Sequence, residues 1–73
     1  MSEQLPSQRL AALLRTLRKE QGLSQEALAE RAGLHRNSIS VMERAESQPT
    51  VDTLFRLAAG LGMSAVELVK RIS

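Results

Sequence analysis

Leu10, Leu13, Leu14 and Leu17 recur at the i, i+3, i+4, i+7 spacing of a helix with one apolar face. They predict a first helix from about Ser7 to Gln21, stopped by Gly22, which takes a left-handed conformation easily. Ser24 is a good N-cap for a second helix of about eight residues, ending at Ala32 before Gly33. A third is predicted over Arg36 to Arg44, followed by the polar stretch Glu46-Ser47-Gln48-Pro49, whose proline cannot continue a helix. Thr50 caps a fourth helix running to Leu61, and Ser64 with Glu67 forms the capping-box pattern of a fifth that continues toward Ile72. No segment has the alternation or Val/Ile/aromatic clustering of a strand, so the predicted class is all-α. Helices this short, joined by short connections, should pack at steep angles into a compact globule rather than along bundle seams. Gly60 costs its helix about 1 kcal/mol relative to alanine, which predicts close packing at that point.

Composition narrows the picture. A chain of 73 residues with no interior linker is read as a single domain over 1–73, with residues 1–6 as a flexible arm. It has no cysteine, so neither a disulfide nor a thiolate metal site can support the core, and the single His35 cannot build a zinc site. No cofactor or metal is expected. With neither a signal-like N-terminus nor a long apolar run, the expected setting is soluble and cytoplasmic, with no membrane. The net charge of +2 divides into +2 for residues 1–21, −1 for 22–48 and +1 for the rest. A polyanionic partner would therefore be held by placed groups rather than by a broad positive field.

The informative stretch is Gln25 to Arg44. Its apolar or small positions are Leu28, Ala29, Ala32, Leu34, Ile39 and Met42, with Gly33 between the two halves, a pattern that describes two short helices joined by a glycine turn. Ala29 is small where the helices would cross, and Gly33 permits the positive φ of a sharp turn. His35, Arg36, Asn37, Ser40 and Val41 are left on the outer face of the second helix of the pair.

The run Leu23-Ser-Gln-Glu-Ala-Leu-Ala-Glu-Arg-Ala-Gly-Leu-His-Arg-Asn-Ser-Ile-Ser-Val-Met-Glu-Arg resembles the Cro/C1-type (XRE) helix-turn-helix family of phage repressors and bacterial regulators. With Pro49-Thr-Val-Asp-Thr-Leu and Leu57-Ala-Ala-Gly-Leu-Gly-Met-Ser the likeness covers about residues 8 to 70. The resemblance implies a five-helix, lambda-repressor-like domain, with the helix-turn-helix core at about 24–44, that binds double-stranded DNA as a two-fold dimer. By position, it implies base reading by Arg36, Asn37 and Val41. Arginine can pair with guanine O6 and N7, asparagine with adenine N6 and N7, and valine can pack on a thymine methyl. It places Gln25 on a phosphate, and Ser24, Ser38, Ser40, Arg44, Ser47 and Gln48 are further phosphate candidates; such contacts position more than they specify. It also pairs Glu43 with Arg18 as a structural ion pair. Two departures stand out. Ala45 occupies a place where the family commonly has glycine, so the third helix should either end without a left-handed residue or run on into the loop. The loop carries Glu46 and no basic residue, which predicts weak non-specific DNA binding and a shallow salt dependence, with a log–log slope near −5 for about six phosphates per dimer.

With the chain ending at Ser73, the dimer surface is expected from the same helices. The apolar residues of the last two exceed what one side can bury, which points to a face near Phe55, Val66 and Val69 reaching to Ile72. The expected function is a sequence-specific transcriptional regulator, a repressor or controller, acting as a homodimer on a pseudo-palindrome, with no small-molecule effector. The alternative is a protein-interaction or antitoxin-like module whose DNA binding is secondary. Catalysis is not expected: the chain has one histidine, no phosphate loop, and too little length for a pocket of about 300 Å³ with converging acids and bases.

Overall fold

Pro6 opens the first helix, where its fixed φ suits the geometry and its missing N–H costs nothing. The structure, a computed structural model, describes residues 4–73. Its helices are α1 (Pro6–Glu20), α2 (Gln25–Ala32), α3 (Arg36–Glu43), α4 (Val51–Gly60) and α5 (Ala65–Ile72). Three begin at the expected hydroxyl caps. Ser24, Thr50 and Ser64 accept the backbone N–H groups of Ala27, Thr53 and Glu67 at 3.0, 3.1 and 3.1 Å. Within the span expected as a flexible arm, residues 1–6, Leu5 is the N-cap of α1, its amide donating to Gln8 Oε1 at 2.8 Å, and Pro6 is already helical. Residues 1–3 lie outside the described residues.

The core is a single apolar cluster. Leu14, Leu28, Ile39, Leu57 and Leu68, one from each helix, are fully buried, each worth roughly 2 kcal/mol of transfer from water. Among the described residues every member of this core is apolar. α2 packs on α3 and α4, α1 on α3 and α5, and α4 on α5. At Gly60 the close approach expected from the sequence is present. A Cβ there would lie 3.1 Å from both the Cβ and the backbone nitrogen of Ala32, so a side chain would push α4 off the end of α2.

One expectation is corrected at α5. Ile72, placed by the sequence at the end of an outward apolar face, packs into the core at 8 % exposure. It lies four residues from the buried Leu68 and so shares its face of the helix. Val66 and Val69 remain exposed, as do Val51 and Phe55 on α4. Among the described residues no helix is long and apolar enough to cross a membrane.

Candidate nucleic-acid interface

The turn between α2 and α3 is built on Gly33 at φ +68°. Its amide and that of Leu34 donate to the carbonyls of Glu30 and Ala29 at 3.3 and 2.8 Å, closing α2. Ala29, 3 % exposed, sits under the turn. Arg56 of α4 donates to the Gly33 carbonyl at 3.3 Å, and a Cβ on Gly33 would meet that guanidinium at 3.0 Å. Nothing in the local pattern marked Arg56, because its partner is 23 residues away.

α3 buries Ile39 and Met42 against the rest of the domain. At about 100° per residue, Arg36, Ser40, Arg44, Asn37 and Val41 follow one another over an arc of about 140° on the opposite side. Arg36 and Asn37 are exposed, while Ser40 and Val41 are partly covered. The three residues expected to read bases therefore share one outward face, with Ser40 and Arg44 along its middle.

Glu43, at the edge of this face beside Arg36, turns into a cluster that joins three helices. Arg18 of α1 grips it with two bonds, Nε to Oε2 at 2.6 Å and Nη2 to Oε1 at 3.0 Å, and its Nη1 donates to the Leu23 carbonyl at 2.9 Å. Gln25, the first residue of α2, adds Nε2 to Glu43 Oε1 at 3.2 Å. The two charged side chains retain 12 % and 5 % of their exposure. Burial pushes the Glu43 carboxyl up, but the bonds from Arg18 and Gln25 and the charges of Arg18 and Arg15 outweigh it, holding it below the ordinary value. The bond to Glu43 raises the Arg18 guanidinium against the opposing effect of burial. Gln25, expected on a phosphate, thus has one amide hydrogen committed to Glu43 and a second still available as a donor. The hydroxyl of Ser24 accepts as a helix cap and can still donate outward.

The end of α3 differs from both readings offered for Ala45. The helix stops at a left-handed residue even though that residue is alanine, with φ +58°. The Ala45 amide donates to the Met42 carbonyl at 3.0 Å and the Glu46 amide to that of Val41 at 2.9 Å, the Schellman pattern that glycine usually serves. The reversal brings Glu46 back beside Arg44, whose Nε lies 3.1 Å from Glu46 Oε2, and Arg44 Nη1 also donates to Ser40 Oγ. Beyond it, Ser38, Val41, Ser47, Gln48, Thr50 and Thr53 surround a notch of about 220 Å³ between α3 and the start of α4. Three of the expected phosphate residues, Ser38, Ser47 and Gln48, meet there; Ser24 and Gln25 lie at the start of α2. Sequence reasoning did not anticipate that Arg44 and Glu46 would pair, although their spacing allowed it.

A larger cleft of about 310 Å³ opens among Leu5, Pro6, Ser7, Leu10, Gln48, Pro49, Leu54 and Ile72. A space of that size was not expected in so short a chain. None of its lining residues is an acid or a base, so it offers nothing for proton transfer. Among the described residues no three His, Cys, Asp or Glu side chains gather where they could hold a metal ion.

Comparison with known proteins gives this geometry its context. The family described as Helix-turn-helix matches residues 14–68. The chain is 45 % identical over 62 residues to the control protein C.SmaI of Serratia marcescens, covering 85 % of this chain and 74 % of that one. It is 49 % identical over 53 residues to the HTH-type transcriptional regulator y4dJ of Sinorhizobium fredii, covering 73 % and 69 %. Among solved structures, the wild-type restriction-modification controller protein C.Esp1396I superposes with a TM-score of 0.84 at 28 % identity, over 96 % of this chain and 90 % of its own. The glycine turn, the two helices around it and these likenesses agree: the chain belongs to the Cro/C1-type (XRE) helix-turn-helix family of transcriptional regulators.

Proposed function

We propose that the protein is a sequence-specific regulator that binds double-stranded DNA as a homodimer on a pseudo-palindromic operator, laying α3 in the major groove of each half-site. The observation that carries this reading is the single outward face of α3 on which Arg36, Asn37 and Val41 stand together, backed by a buried helix pair that fixes its angle. The N-terminal residues of a recognition helix are the ones that reach base edges, and Arg36 and Asn37 are the first two of α3. Bidentate pairing of either with its base discriminates by roughly 1 to 3 kcal/mol. The exposed Phe55, Val66 and Val69, joined by Val51 one turn before Phe55, are the apolar surface from which a second copy would be held. Likeness to a control protein and to a restriction-modification controller favours a controller role.

The test is selection of bound sites from a randomised duplex library, run with the native protein and with Arg36→Ala. The expected result is a pseudo-palindrome with half-sites about one helical turn apart, in which a guanine preference relaxes in the variant. Failure of the folded native protein to enrich any site would overturn the proposal.

A further inference from the structure

The pairing at the end of α3 has a bearing on affinity. Arg44 lies on the same outward face as Arg36 and Asn37, about two turns further on, where the C-terminal end of a recognition helix passes from the bases toward the phosphate backbone. It is the last cation of that face before Pro49, and its charge is already engaged. Nε meets the Glu46 carboxylate at 3.1 Å and Nη1 bonds Ser40, while the two charged side chains keep 52 % and 57 % of their exposure. A carboxylate so placed neutralises the arginine. The backbone enforces the arrangement, because the left-handed turn at Ala45 points the chain back and sets Glu46 over Arg44.

We propose that Glu46 is a negative determinant of DNA affinity, holding the Arg44 guanidinium in an intramolecular pair that keeps it from a DNA phosphate. The inference rests on the DNA-binding reading above and adds a residue to it. An exposed pair of this kind is weak, so Glu46 adjusts the strength of binding and does not lock it. Since phosphate contacts carry no sequence information, the adjustment falls equally on all sequences.

The experiment measures binding of native protein, Glu46→Gln, Arg44→Ala and the double variant to a mixed-sequence duplex over a range of salt concentrations, with thermal melts showing that each is folded. Both side chains are half exposed, so none of the variants removes core packing. The expected result is that Glu46→Gln binds roughly two- to fivefold tighter per protomer, in keeping with the weakness of exposed ion pairs. Its log–log salt slope should steepen by about 0.9 per protomer, the value for one added phosphate contact. Arg44→Ala should change little in the native background and should abolish the gain in the Glu46→Gln background. Unchanged or weaker binding by Glu46→Gln overturns the proposal. So does a gain that survives in the double variant, since the carboxylate would then act by its own charge and not through Arg44. If neither the native protein nor any variant binds duplex DNA, the DNA reading itself falls and this inference with it.

Discussion

Ala45 shows how much one residue can carry. A β-carbon in the left-handed region costs about 1 kcal/mol or more, and here it is tolerated because two backbone hydrogen bonds and the flanking loop hold the turn. Ala45→Gly relieves that strain without removing a buried contact, since Ala45 is exposed. The variant is expected to gain about 0.5–1 kcal/mol in chemical denaturation, the relief being partly offset by the greater freedom of glycine in the unfolded chain. A loss of stability would show that the turn is not left-handed in solution.

At the scale of elements, the domain is held at the right angle by polar as well as apolar means. Glu43 ties the last residue of α3 to α1 through Arg18 and to the first residue of α2 through Gln25, while Gln21 closes the far side by donating to the Leu61 carbonyl at the end of α4 at 2.8 Å. Removing one partner of this partly buried pair leaves the other charge without its hydrogen-bonded partner. Glu43→Gln should therefore cost roughly 1 to 3 kcal/mol at neutral pH. The pH dependence has a definite sign. Because the folded-state value of Glu43 lies below its unfolded one, its contribution is complete above the ordinary glutamate value. It is lost as the pH falls through the lower folded value. Denaturant titrations of the native protein should show this acid limb, and Glu43→Gln should flatten it. Parallel curves for the two proteins would mean that Glu43 does not contribute to the loss.

For the whole molecule the question is what covers the apolar surface. Phe55 and Val66 keep 62 % and 71 % of their exposure, well out of the core. On the two-fold reading, Phe55→Glu keeps its fold, because the side chain is outside the core, yet moves the species from dimer to monomer in sedimentation. Its DNA affinity should fall with it, as two linked half-site contacts become one. A monomeric native protein at the same concentrations would remove this surface from the dimer proposal.

Much of this was legible in the chain itself. The leucine period of α1, the caps at Ser24, Thr50 and Ser64 and the glycine after α2 act over three or four residues, so reading them locally places the helices within a residue or two of their observed ends. The outward placement of Arg36, Asn37 and Val41 followed for the same reason, as Ile39 and Met42 had to face inward. Tertiary structure decided what depends on partners distant in sequence or on the rotation of an element about its axis. Ile72 turned inward because α5 presents the Leu68 side to α1 and α4. Gln25 bonded Glu43 because α2 and α3 meet at that corner, and Arg56 reached Gly33 across the α2–α4 contact. Ala45 took a left-handed turn, against its own preference, and so brought Glu46 to Arg44. Local pattern states which residues can be buried or capped, whereas the packing of five short helices selects among the arrangements that each segment alone would allow.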